Sequence, residues 1–282
     1  MANPTYQSGF YAPGRGTAKY PELWDGCVGA WNPGLGNTGL SLRDWSGNQN
    51  NGTLTNGPTW GVSDGRQALD FDGVNDRVLC GIDTAYRTGL KSISLSMLVY
   101  TSSTSFAAAP ESLFDTSGFN VTAGGIWIAL DNRGGTRATN GIGAQVKTSS
   151  GGTRDASASN VFTSTAAWKH ICVAYFRGSL RIFVNGIDAT TGEASNQGGT
   201  GDYVPKNEII SIGATVGGGN YFTGQMNDIR QFNRALSPNE IRLLAQRPGI
   251  AYERAPRKFY SLPAAASSRQ YRLFRPSILR GA

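Results

Sequence analysis

Few residues in this chain are placed to do acid–base chemistry. There is one histidine, His170, and its sequence neighbours Lys169, Ile171 and Cys172 supply no acid partner. A catalytic triad or a histidine-rich metal centre needs more such groups in close company, so His170 reads as structural. The glutamates Glu22, Glu111, Glu193, Glu208, Glu240 and Glu253 are scattered, and no two share one short strand. Alternation along a strand therefore cannot aim a pair of them at one target. Oxygen ligands are denser in Asp44-Trp45-Ser46-Gly47-Asn48-Gln49-Asn50, where carboxylate, amide and carbonyl oxygens share one tight turn. That is what a hard cation such as calcium wants; the competing reading is an Asx-rich turn that satisfies its own backbone. Asp70, Asp72, Asn75 and Asp76 make a second acidic turn, read as a turn with ion pairs to Arg77. Trp45, Trp60, Trp127, Tyr203 and Tyr221 are the aromatic candidates for stacking on a sugar, against the alternative that each is partly buried core. The loops 104–110, 191–202 and 217–221 would frame such a site. Cys27, Cys80 and Cys172 are odd in number, without a C-x-x-C pair, and read as small buried hydrophobes rather than metal ligands or a disulfide.

The elements that must position these residues are strands. The strongest signal is WKHICVAYFRGSLRIFVNGID, residues 168–188. An apolar run, 171–176, precedes Arg177-Gly178; Leu180, Ile182 and Val184 then alternate with Arg181 and Phe183. Asn185-Gly186 follows, a hairpin signal because both central residues of a type I′ turn need positive φ. The reading is a tight ribbon, one strand buried on both faces and one on a single face. Further strands are expected at 27–31, 67–78, 92–100, 112–116, 125–130, 140–146, 208–212 and 221–232. In 92–100, Ile93, Leu95 and Met97 alternate with Ser94 and Ser96. Residues 42–60, 149–153 and 191–202 read as turns and loops. One helix is expected near 237–246: Ser237 as N-cap, Pro238 at the first position and Glu240 completing a capping box.

About a dozen short strands, 38 glycines and one terminal helix point to an all-β, two-sheet sandwich or jelly roll. No apolar run approaches the roughly 20 residues of a membrane span, and the first residues show no apolar core of a secretory signal. Charge is uneven. From Arg247 onward there are eight basic residues and one acid, so the tail holds the whole surplus of +7. The tail also carries Phe259, Tyr260, Tyr271 and Phe274 among prolines, unlike an aromatic-poor disordered linker. Arg254, Arg257 and Arg275 with those aromatics read as a docking arm for a larger assembly. Basic residues scattered among apolar anchors argue against a nucleic-acid partner.

Four stretches, RDWSGNQNNGTLTNGPTW, ALDFDGVNDRV, WKHICVAYFRGSLRIFVNGI and YFTGQMNDIRQFNRALSPNEIRLL, closely resemble, in order and spacing, laminin-G-like domains of the concanavalin-A-like lectin/glucanase superfamily. The resemblance implies a jelly roll of two curved antiparallel sheets over residues 26–246; outside it, composition marks an extended arm at 1–25 and a docking tail at 247–282. The resemblance also implies a calcium ion on Asp44, Asn48 and Asn50, completed by Asp228; on the ligand it says little, and glycans are expected from the exposed-aromatic candidates above. The E-x-D-x-E spacing of the superfamily's hydrolase branch is missing from the glutamates. Fold alone leaves the ligand open. The expectation is a non-enzymatic bacteriophage virion protein, oligomeric in its assembly and displaying a glycan-binding domain. The alternatives are a stand-alone extracellular lectin module and, third, a glycoside hydrolase.

Overall fold

The computed structural model describes residues 18–82, 91–101, 109–117, 123–133, 138–163, 167–196, 199–206 and 208–256. In chain order its strands are β1 (Cys27–Trp31), β2 (Ser41–Leu42), β3 (Gly52–Thr55), β4 (Thr59–Ser63), β5 (Arg66–Asp72), β6 (Arg77–Ile82), β7 (Ser92–Tyr100), β8 (Glu111–Asp115) and β9 (Ile126–Asp131). They continue as β10 (Gly141–Lys147), β11 (Thr153–Ala158), β12 (Lys169–Phe176), β13 (Ser179–Val184), β14 (Ile187–Asp188), β15 (Gly192–Asn196), β16 (Ile209–Ile212) and β17 (Thr223–Phe232); the helix α1 (Pro238–Gln246) follows. One sheet runs β14-β13-β12-β7-β17-β5-β4, with β1 also on β17, and the other β15-β11-β10-β9-β8-β16-β6-β3-β2. The pairings are antiparallel. The fold is a jelly-roll sandwich.

The 168–188 stretch is β12, β13 and β14. Its turns are of one kind: Arg177 and Gly178 lie at φ +43° and +88°, Asn185 and Gly186 at +51° and +83°. Both match the right-handed strand twist. Gly186 is forced twice over, since a Cβ there would stand 3.0 Å from the Arg242 backbone of α1. Between the sheets, Leu69, Phe71, Ile93, Leu95, Met97, Ile171 and Val173 meet Val78, Phe114, Ile126, Ile128, Ile142 and Ile212.

The first sheet is buried on its other face too. Ser94 and Ser96 on β7 are not a solvent face: Ser94 Oγ accepts the Leu236 N–H at 3.0 Å and Ser96 Oγ meets His170 Nε2 at 2.9 Å. A second apolar layer covers them, formed by Leu23, Trp24, Cys172, Phe232, Leu236, Ile241, Leu244, Ile250 and Tyr252. The capping box of α1 forms as the sequence predicts, with Ser237 Oγ accepting from Glu240 N and Glu240 from Ser237 N.

This layer moves the expected boundaries. Residues 18–25 and 247–256, assigned to the arms, pack here: Ala18 bridges Arg254, Trp24 Nε1 donates to the Ala251 carbonyl at 2.8 Å, and Trp24 meets Tyr252 edge-on at 5.3 Å. The reason is apolar content in short turns, Pro21–Trp24 and Ile250–Tyr252, that the charge count hid. One expected loop is partly a strand: residues 192–196 form β15, which pairs with β11, and Arg154 and Glu193 neutralise each other across the pair at 2.9 Å. The 42–60 stretch likewise contains β3 and the start of β4.

Candidate functional site

The Asn-rich loop between β2 and β3, which holds Asp44, is wired onto β1. Asp44 bridges Trp31, and Trp45 N donates to the Ala30 carbonyl at 2.7 Å. The Asp44 carboxylate is buried and accepts four hydrogen bonds, from the N–H groups of Ala30, Ser46 and Asn50 and from Ser46 Oγ, at 2.8–3.0 Å. Asn48 and Asn50 turn their amide nitrogens onto the Val28 carbonyl at 2.9 and 3.2 Å. Gly47 and Gln49 take positive φ so that the chain can double back.

Beside this loop, at the β2 edge, lies an open cleft of about 440 Å³. Thr38, Ser41, Arg43, Gln49 and Asn51 supply hydroxyl, guanidinium and amide groups, and Asp44 and Gly47 complete its lining. Arg43 and Trp45 are two apart on extended chain and share a side. The guanidinium carbon stands 4.3 Å from the Trp45 ring centroid, a cation–π contact that holds it at the rim. Trp60, half-buried on β4, fixes the 38–41 segment by donating Nε1 to the Gly39 carbonyl at 2.9 Å.

The predicted residues therefore do not converge as a group. Trp45 is half-buried against the terminal layer and meets the cleft only through Arg43, and Trp60 braces the 38–41 segment that lines it. Trp127 is buried, donates to Ser112 Oγ at 3.1 Å and lies under Arg133. Tyr203 is buried in the main core, and Tyr221 is half-buried beside the Gly217–Gly219 turn. Trp127 and Tyr203 thus offer no face to a sugar, because large rings gain most by filling a layer. Arg43, Thr38, Ser41, Gln49 and Asn51 were not singled out from sequence; the available signal was the Arg-x-Trp spacing next to the Asx turn.

The calcium set fares differently from expectation. Asp228 lies in a β-bulge on β17, at φ +47°. The bulge turns both Asp228 and Arg230 under the terminal layer. The Asp228 carboxylate takes both arms of Arg230, at 2.8 and 3.0 Å, and the Gly249 N–H at 3.2 Å. Burial works against the Arg230 charge, but Asp228 outweighs it and holds the guanidinium above its ordinary pKa. Asp44 is likewise ringed by donors. A hard cation takes six or more oxygens, whereas here four donors engage Asp44, Arg230 and Gly249 engage Asp228, and the Asn48 and Asn50 amide nitrogens face the Val28 carbonyl; no group of three His, Cys, Asp or Glu side chains among the described residues is arranged to hold a metal. The residues do not fit calcium in this arrangement.

The Ser96–His170 contact has nucleophile–base spacing, yet both groups are buried. His170 Nδ1 has no partner among the described residues, so nothing orients the ring as a triad requires. Burial pushes the imidazole pKa down to about 4. The three cysteines are free and buried, and burial raises Cys27 to about 12. Asp72 and Asp76 serve the 72–76 turn, accepting backbone N–H groups; Arg77 reaches the Val216 carbonyl instead. Of the proposed docking residues, Arg254 bridges Ala18; Arg257, Phe259, Tyr260, Tyr271, Phe274 and Arg275 lie outside the described residues.

A family model described as the concanavalin A-like lectin/glucanases superfamily matches residues 72–242. No curated protein matches the chain. Among solved structures it is similar to the binding domain of Paraclostridial Mosquitocidal Protein 1, at 16% identity and a TM-score of 0.57, covering 79% of this chain and 52% of that one. The binding domain of botulinum neurotoxin DC, solved in complex with rat synaptotagmin II, matches at 13% identity and a TM-score of 0.58, covering 79% and 52%. Domain 4 of AbnA, a GH43 extracellular arabinanase from Geobacillus stearothermophilus, in complex with arabinotriose, matches at 17% identity and a TM-score of 0.53, covering 82% of this chain and 100% of that one. The chain thus spans about half the length of the toxin binding domains. At these identities the likeness is one of fold.

Proposed function

The chain belongs to the concanavalin A-like lectin/glucanases superfamily, and on that footing we propose that it is a non-enzymatic binding module whose cleft beside Arg43 and Trp45 takes a short glycan. The observation that carries this is the cleft itself: a guanidinium held at the rim by an indole, with two hydroxyls and two side-chain amides around it. Sugar hydroxyls donate and accept in the patterns these groups complement. The arabinotriose held by the arabinanase domain and the binding role of the toxin domains support a recognition role. The lone buried histidine and the separated glutamates support binding without turnover.

The test is a glycan panel followed by titration calorimetry on the best hit. Arg43→Ala is expected to weaken binding about tenfold, the worth of one charge-assisted hydrogen bond, with an unchanged melting temperature. A silent panel, or a variant that binds like the parent, would reject the reading. We further assign residues 257–282 to docking on a larger assembly, in the phage virion context that the sequence suggests. A chain ending at Pro256 that still joins its assembly would reject that assignment.

A further inference from the structure

β4 ends its sheet, and its outer edge has no neighbour among the described residues. Its sequence, Thr59-Trp60-Gly61-Val62-Ser63, carries no charge, although edges are ordinarily guarded by charges, proline or bulges. The register of its hairpin decides which backbone groups face out. Asp64 and Gly65 are the central residues of the β4–β5 turn, at φ +50° and +70°, and Ser63 and Arg66 are the pair that flanks it. Bonded and non-bonded pairs alternate along an antiparallel ribbon. Starting from a bonded Ser63–Arg66 pair, Gly61–Ala68 and Thr59–Asp70 are bonded. Trp60 and Val62, opposite Leu69 and Gln67, then point their N–H and C=O groups away from the sheet. Val62 is 64% exposed, and Leu40, next to the Gly39 carbonyl that holds the Trp60 indole, is 81% exposed.

We propose that this edge pairs with β4 of a second copy of the chain, antiparallel, about a two-fold axis at Gly61. In that register Trp60 faces Val62 of the partner subunit, and Val62 faces Trp60 of the partner subunit. The outward donors and acceptors are matched by four backbone hydrogen bonds. Gly61 meets its own symmetry mate in the non-bonded position, where two backbones come closest and a glycine has no side chain to obstruct them. An uncharged strand meeting itself brings no like charges together, and the pairing covers the apolar Val62. The strand is its own complement, so the assembly closes as a dimer. The opposite end of the sheet, β14, is two residues long and carries Asp188, a poorer partner for five. The proposal stands apart from the glycan reading.

The test is sedimentation of the full chain from about 10 μM to about 1 mM, a range suited to a small interface. The parent is expected to pass from single chains to dimers. Val62→Pro removes a donor that the hairpin does not use, at an edge where proline is tolerated. It should weaken dimerisation at least tenfold, the worth of two lost hydrogen bonds, while Val62→Thr, which keeps the donor, should dimerise like the parent. Hydrogen exchange should protect the Trp60 and Val62 amides only at dimer-forming concentrations. A single-chain mass throughout, a Val62→Pro variant that dimerises normally, or species beyond the dimer would each overturn the proposal. So would protection independent of concentration, which would mean that a segment of the same chain covers the edge.

Discussion

At the residue scale the most informative group is Asp44. Its carboxylate accepts four hydrogen bonds that tie the 44–51 loop to β1, so it acts as a turn organiser. Asp44→Ala leaves buried N–H groups without acceptors and should cost about 2–4 kcal/mol. Melting in calcium and in chelator should show equal loss; a loss confined to calcium would revive the metal site. His170 contributes a pH dependence of its own. Its folded pKa of about 4 lies below the model-peptide value of 6.5, so between the two the unfolded chain binds the proton and the folded chain does not. The stability is present above pH 6.5 and is lost as pH falls toward 4, on the order of 3 kcal/mol. Urea unfolding across that window should show the slope, and His170→Gln should flatten it.

At the scale of elements, the 168–188 ribbon joins the two apolar layers. β12 packs its Ile171 and Val173 side into the sandwich and its Cys172 side against the terminal layer, and the Asn185-Gly186 turn abuts α1. Gly186→Ala puts a Cβ into left-handed backbone and into the Arg242 backbone. It should destabilise by more than the roughly 1 kcal/mol of an ordinary glycine replacement. Denaturant unfolding at constant m-value would check this; a neutral result would mean that the turn and helix can separate freely.

At the scale of the whole molecule, both ends of the described chain close over one face. Ile250, Ala251 and Tyr252 are buried, with Tyr252 set against Arg230 at 4.7 Å. A chain ending at Gln246 should lose several kcal/mol, since two large apolar side chains are worth about 1.5–3 kcal/mol each and Arg230 loses its cover. A chain ending at Pro256 keeps the Ile250–Tyr252 turn and should melt above the one ending at Gln246. Equal melting of the two truncations would show that the terminal layer contributes little.

The sequence by itself determined the class of fold and its main hinges. Period-two apolar runs, Asn-Gly and Ser-Pro-x-Glu act through neighbours in the chain, so β7, β12, β13, β17 and α1 were legible without coordinates. Only the tertiary structure decided the site. Whether Trp127 faces a sugar or a core, whether Asp228 meets a cation or Arg230, and whether residues 250–252 dangle or pack depends on groups tens to hundreds of residues away. Long-range burial selects among residue types that look alike locally, as the half-buried Trp45 and the buried Trp127 do. The charge of the tail likewise concealed the apolar Ile250-Ala251-Tyr252 turn, which folds only because Trp24 and Arg230 await it on the sheet.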